Sequence, residues 1–324
     1  MASSIYFNAV AEAKEAALLT EKDLLAILYC KDLFSVIKLL SEKGLVQGEN
    51  IERYADLMKI VENEKRAFYT FLKSNTPDMN ISKYFLIDVD YQNLQNYYLA
   101  WKLGGKQISF DYEGVLSADD IKKAVEKGEY SHITNEMRLA IEFCDRILKD
   151  DKKSIFLVNS AFNKSKAREL LIIASRQKEL KDAIVFKVDA DNILLARILK
   201  DYEMVKSVKC YGGTLSDSSL RKLCEMDSVS IKREFMFSEY RSLIELALKA
   251  EDIKSRLLFE QMVDCYFLNT IEEKKYDLSG NMPYIRYGVK KSTELINLKI
   301  IFEGLASKLD KEKLKLELRR VYGK

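Results

Sequence analysis

Apolar residues recur at helical spacing along most of this chain. From Leu86 onward, Leu86, Val89, Tyr97, Ala100 and Trp101 share one helical phase, and Asn93 lies in phase with them. Segments 9–19, 24–40, 51–72, 136–148, 167–180 and 238–268 carry the same period and predict helices. Residues 183–188 are short and apolar, and periodicity alone leaves them as either a strand or a buried helical turn. Breaks are few. Gly44 and Gly48 close an early helix, and Ser74-Asn75-Thr76-Pro77-Asp78 predicts a loop. Gly104-Gly105 and Gly212-Gly213 end two later segments, and Ser279-Gly280-Asn281-Met282-Pro283 opens the last long helix, with Pro283 near its first turn.

Two short patterns repeat. Val89-Asp90-Tyr91-Gln92-Asn93-Leu94 matches Val188-Asp189-Ala190-Asp191-Asn192-Ile193, and Glu294-Leu295-Ile296-Asn297-Leu298 is a third version. The shared core is an acid, two residues, an asparagine and an aliphatic residue. The asparagines stand 99 and then 105 residues apart (93 to 192, 192 to 297). Gly114-Val115-Leu116-Ser117 likewise matches Gly213-Thr214-Leu215-Ser216, again 99 apart. Leu19-Thr20 is an earlier copy and Leu309-Asp310 a later one, so each copy ends on a residue suited to a helix N-cap. Ser117 with Asp120 and Thr20 with Asp23 approximate capping boxes. Two patterns in matched register predict three helical units of about 100 residues.

Composition supports long helices. Gly and Pro total 14 of 324 residues, about 4%, against roughly 12% on average. So few turn formers disfavour a β-sandwich or barrel. The 53 basic and 50 acidic residues nearly balance, which suits solvated helix faces better than a nucleic-acid surface. No run of about 18 apolar residues predicts a membrane span. The first residues lack a basic secretory leader. Cys30, Cys144, Cys210, Cys224 and Cys265 form no CxxC pair, and their odd number argues against a disulfide framework. The expected compartment is therefore the cytoplasm.

Little in the sequence points to catalysis. The single histidine, His132, follows Tyr130-Ser131 in a predicted loop, so no multi-histidine metal site is available. Gly104-Gly105-Lys106 lacks the spacing of a phosphate loop, and no GxGxxG occurs. Neither a catalytic, a cofactor nor a metal site is expected. The acid-x-x-Asn pairs, Asp90 with Asn93, Asp189 with Asn192 and Glu294 with Asn297, each share a helix face. They read either as a polar site in three copies or as internal fasteners, and a repeated fold favours fasteners. Tyr97, Tyr98 and Trp101 read as a packed face rather than a base-stacking platform. Residues 308–324, with seven basic and three acidic residues, predict an amphipathic terminal helix. Loops 104–114 and 212–216 are candidate partner contacts.

The chain resembles the C subunit of the V/A-type rotary ATPases, the counterpart of the d subunit of eukaryotic V-ATPases. The resemblance lies in Tyr84-Phe85-Leu86-Ile87-Asp88-Val89-Asp90-Tyr91-Gln92-Asn93-Leu94, in Val188-Asp189-Ala190-Asp191-Asn192, and in the Y-x-x-x-K-x-x-E-x-x-N-L pattern of residues 287–298. It departs from the family at the last cap, which is Asp310 rather than Ser or Thr. The resemblance implies an all-α protein of three related lobes in a pseudo-threefold, funnel-like arrangement, with approximate boundaries 1–116, 117–215 and 216–324. It implies a non-catalytic central-stalk adaptor that sits on the proteolipid ring and sockets the rotor shaft. Ring and shaft subunits would be its partners, without nucleotide or nucleic acid. It would be monomeric when isolated and peripheral on the cytoplasmic side of the membrane. A helical-repeat scaffold for a soluble protein or RNA is the alternative, although the period of about 100 exceeds the 34–47 residues of stacked-helix repeats. An all-α enzyme is a third reading and would require a cleft of convergent acids and bases.

Overall fold

The computed structural model describes residues 4–46, 48–76, 78–104, 110, 114–150 and 155–321. No strand occurs among them, and the chain is all-α. In chain order the helices are α1 (Ser4–Ala16), α2 (Glu21–Leu28), α3 (Leu33–Glu42), α4 (Met58–Ser74) and α5 (Met79–Leu103). There follow α6 (Ala118–Lys122), α7 (Asn135–Asp150), α8 (Ile155–Ile173), α9 (Lys178–Leu199), α10 (Tyr202–Val208) and α11 (Asp217–Glu225). The last are α12 (Ser228–Glu234), α13 (Arg241–Ala247), α14 (Ile253–Glu272), α15 (Met282–Ala306) and α16 (Lys311–Glu317).

These helices form two compact units, Met1–Met79 with Asp264–Lys324, and Asn80–Val263. The first unit is built on α15, against which α1, α2, α4 and α16 pack. Most of the 25 residues of α15 are buried, so it is a central rod rather than an amphipathic surface helix. Phe68 and Phe71 of α4 meet Tyr284 and Tyr287 of α15 at ring-centroid distances of 5.3–5.8 Å, close enough for favourable aromatic contact. Gly304 lets α16 seat closely, because a Cβ there would lie 2.3 Å from Leu314 Cδ2. Arg286 and Lys290 tie α1 to the rod through Glu15, at 2.7 and 2.9 Å.

In the second unit α9 is the rod, and α8, α10, α11 and α13 pack on it. The α7–α8 pair closes a core that takes Ile87, Leu94 and Tyr98 from α5, Ile121 from α6, Ile141 and Cys144 from α7, and Phe162 from α8. The ambiguous stretch 183–188 lies within α9.

The predicted helices are cut where hydrophobic period gives no warning. Segment 24–40 divides into α2 and α3 because Asp32 caps a new start, accepting the Ser35 N–H at 2.8 Å. Segment 238–268 divides the same way: Asp252 accepts the Ser255 N–H at 2.9 Å ahead of the long α14. Segment 167–180 divides at Gln177, where the backbone is extended between α8 and α9. Segment 51–72 opens with a 3-10 turn, Tyr54–Leu57, before α4. The packed face expected of Tyr97, Tyr98 and Trp101 holds only in part. Tyr98 is fully buried, and Tyr97 is half-buried against Phe110. Trp101, in the last turn of α5, is 52% exposed.

Candidate functional site

A carboxylate removed from water is costly unless donors surround it. Asp189, fully buried at the middle of α9, is surrounded. Its Oδ2 accepts the Thr214 N–H, the Thr214 hydroxyl and the Tyr240 hydroxyl, each at 2.7 Å, and its Oδ1 accepts the Leu215 N–H at 3.0 Å. The backbone comes this close because residue 213 is glycine: a Cβ there would sit 2.0 Å from Asp189 Oδ1. One turn along the same face, Asn192 exchanges two bonds with a single residue. Its Nδ2 donates to the Cys210 carbonyl and the Cys210 N–H donates to its Oδ1, both at 2.9 Å. Helix α9 thus grips the non-helical connector at Cys210 and again at 214–215. Immediately after it, Ser216 caps α11 by accepting the Ser219 N–H at 3.1 Å. Burial pushes the Cys210 thiol up to about 12, so it stays protonated within this grip.

The same arrangement stands on α5. Asp90 is 3% exposed and accepts the N–H groups of Val115 at 2.9 Å and Leu116 at 3.0 Å, just before Ser117 caps α6. A Cβ at Gly114 would again fall 2.0 Å from the carboxylate. Each aspartate precedes its cap by 27 residues (90 to 117 and 189 to 216). Asn93 is half-buried on the same helix, and position 111, the counterpart of Cys210, lies outside the described residues.

The third copy, on α15, is built differently. Glu294 Oε2 accepts the Leu19 N–H at 2.6 Å, and Leu19 directly precedes Thr20, the capping-box residue of α2. Here the grip runs from the late rod to the early cap. Ala17 stands where the other copies have glycine. The glutamate is one methylene longer than aspartate, so the backbone can stand back and leave room for a Cβ. Glu294 Oε1 is held by Lys291 Nζ at 2.6 Å, and Lys291 also reaches Glu64 at 2.7 Å. Asn297 repeats the two-bond exchange with Arg319, at 3.0 and 2.7 Å. That exchange pairs the Arg319 backbone outside any helix, so α16 stops at Glu317 and the amphipathic helix expected through residue 321 is cut short. Of the leucines at 309, 314, 316 and 318, only Leu314 is buried, whereas Leu309 and Leu316 are 53% and 63% exposed.

Asp90, Asp189, Asn192, Glu294 and Asn297 therefore each bond the backbone of their own chain, and Asp189 and Glu294 hold side chains as well. They clasp non-helical backbone, which for Asp90, Asp189 and Glu294 lies just before a helix N-cap. The sequence shows both halves of the clasp, the acid-x-x-Asn pair and the Gly-x-x-Ser cap, as separate repeats. It does not show that they bond to each other, although the constant interval of 27 residues was a usable signal. Of the candidate contact loops, 212–216 is taken up by the Asp189 clasp, and most of 104–114 lies outside the described residues. His132 is exposed in a turn. No group of three or more His, Cys, Asp or Glu placed to hold a metal occurs among the described residues.

Replacing Asn192 by leucine should leave the Cys210 N–H and carbonyl buried without partners. A loss of about 2–4 kcal/mol is expected, read as a lower urea midpoint with an unchanged slope. A midpoint equal to wild type would show that the exchange with Cys210 contributes nothing.

The family model described as ATP synthase (C/AC39) subunit matches residues 7–317. A search of curated proteins finds no match. No helix among the described residues is long and apolar enough to cross a membrane. The repeated clasps thus occur in a chain matched over nearly its whole length, and the chain belongs to the ATP synthase C/AC39 subunit family, which holds the C and d subunits of V/A-type ATPases.

Proposed function

We propose that this chain is the non-catalytic central-stalk adaptor of a V/A-type rotary ATPase, seated on the proteolipid ring and holding the end of the rotor shaft. The carrying observation is the set of buried clasps in a chain matched by the family over residues 7–317. Torque passes through an adaptor without loss only if its helices keep their relative angles. A clasp fixes the entry of a connector into a helix with charge-assisted bonds, which are stronger than neutral ones. In this reading the repeats form three related lobes, 1–116, 117–215 and 216–324, around the shaft. The protein lies on the cytoplasmic face of the membrane, binds no nucleotide and is monomeric when isolated.

The test is a pull-down of the tagged chain from mildly solubilised native membranes, with mass spectrometry of the recovered partners. Proteolipid and ATPase-head subunits are expected, and the isolated chain should hydrolyse no ATP. Recovery of only soluble proteins or RNA, from membranes shown to contain the intact ATPase, would replace this reading with a helical-repeat scaffold.

A further inference from the structure

Helix α1 turns its acids inward and an apolar face outward. Glu15 is held by Arg286 Nε at 2.7 Å and Lys290 Nζ at 2.9 Å, and Glu12 by Arg286 Nη2 at 3.5 Å. On a helical wheel Ile5, Tyr6, Ala9, Ala13 and Ala16 fall within about 100° of arc, and all five are exposed. That outward arc carries no charge, in a chain with 32% charged residues. Asn8 Nδ2 donates to the carbonyls of Gly280 at 3.0 Å and Leu278 at 3.4 Å, which draws the α14–α15 loop against the first turns of α1. The loop adds two more apolar side chains. Ile5, Tyr6, Tyr276 and Leu278 are 76%, 55%, 86% and 59% exposed. Large apolar side chains gathered in this way at a surface mark an interaction site.

Area and rim chemistry favour a lipid surface over a protein partner. A helix of 13 residues is about 20 Å long. With one loop beside it, that strip is too short to bury the roughly 1,200 Å² of a stable protein interface. A bilayer sets no such minimum, because binding grows with the apolar area inserted. At the rim, Tyr6 and Tyr276 join an apolar ring to a polar tip, as residues at a membrane–water boundary do. Lys274 and Lys275 are exposed in the same loop, with Lys275 Nζ 4.9 Å from the centre of the Tyr276 ring. Of the acids nearby, Glu272 pairs with Lys290 at 3.2 Å and Asp277 accepts the Ser279 N–H at 2.9 Å, while Glu273 stays exposed. We propose that the outward face of α1 and the α14–α15 loop rest together in the headgroup–acyl boundary of an anionic bilayer. The apolar side chains enter the boundary, and Lys274 and Lys275 meet the anionic headgroups. The inference rests on the adaptor reading only for the nearness of a membrane, and it adds a contact with lipid rather than with a subunit.

The test mixes the full-length chain with phosphatidylcholine vesicles, with and without phosphatidylglycerol. The chain should sediment with the anionic vesicles and less with the neutral ones. Ile5→Ser with Leu278→Ser should weaken binding by about tenfold or more. Both side chains are exposed, so the melting temperature should stay within about a degree or two of wild type. Lys274→Gln with Lys275→Gln should remove the preference for anionic vesicles. A chain with Tyr6→Trp and Trp101→Phe carries its one tryptophan on the proposed face. Its fluorescence should be quenched by phosphatidylcholine brominated in the acyl chains. Absence of sedimentation, unaltered binding by the Ile5 and Leu278 variant, or an unquenched tryptophan would overturn the proposal. Loss of a subunit from the membrane pull-down by that variant, with no vesicle binding by wild type, would assign the face to a protein and overturn it as well. The vesicles contain no ATPase subunit, so their failure leaves the adaptor reading standing, and that reading fails only in the pull-down.

Discussion

Asp189→Ala is expected to destabilise the second unit by about 3–5 kcal/mol. The residue is fully buried and is the acceptor for two backbone N–H groups and two hydroxyls. Alanine would leave those donors in a site closed to water, at about 1–3 kcal/mol for each one stranded. The separate costs do not add fully, because the connector can relax once released. In calorimetry the loss should lower the melting temperature on the order of 10 °C for a unit of this size. Gly213→Ala attacks the same clasp from the other side. Its Cβ would fall 2.0 Å from Asp189 Oδ1 and 3.1 Å from Val188 Cγ1, so the carboxylate must leave its donors. A cost of about 2–4 kcal/mol is expected. Since the glycine substitution acts through the aspartate, the double variant should lose clearly less than the sum of the singles. Strict additivity would mean that Gly213 matters for another reason. A single-variant loss under about 1 kcal/mol at Asp189 would mean that the clasp does not hold the connector.

Lys291→Met should cost the first unit a similar amount, about 3–5 kcal/mol, and its pH dependence separates it from the first case. Lys291 and Glu294 are 6% and 3% exposed, and removing the lysine strands the buried glutamate that grips Leu19. Burial works against the charge on Lys291, but Glu294 and Glu64 outweigh it and hold the lysine above its ordinary value. A lysine raised in the folded state contributes its full stability below the unfolded value of about 10.4. It loses that contribution as pH climbs through the higher folded value. The gap between wild type and variant should therefore stay constant from pH 6 to about 9 and narrow only above about 10.4. Urea midpoints across that range measure it. A gap that closes near neutrality would show that the ion pairs are not what the substitution removes.

The helices, the N-caps and the three-copy pattern were legible in the sequence because each is a local property. Apolar spacing reports a helix face within a few turns, and a Ser, Thr or Asp before a helix caps it within three residues. The family resemblance drew on the same local motifs. The burial of the acids in these motifs is not a local property. An acid in a helical run normally reads as a solvated face, yet Asp189 and Asp90 are buried. The cuts at Asp32 and Asp252 leave no mark in the hydrophobic pattern, because apolar period runs straight through both. The length of α16 is not a local property either, because Asn297, 22 residues upstream, binds the Arg319 backbone beyond its end.

What the sequence determined by itself is an all-α chain carrying three copies of a helix with an acid and an asparagine on one face. Only the tertiary structure decided what those residues hold: Leu215 for Asp189, Leu116 for Asp90, and Leu19, at the far end of the chain, for Glu294. The physical reason is range. Helical spacing is set by bonds four residues long, whereas a buried carboxylate takes donors from whichever backbone the packed core brings to it.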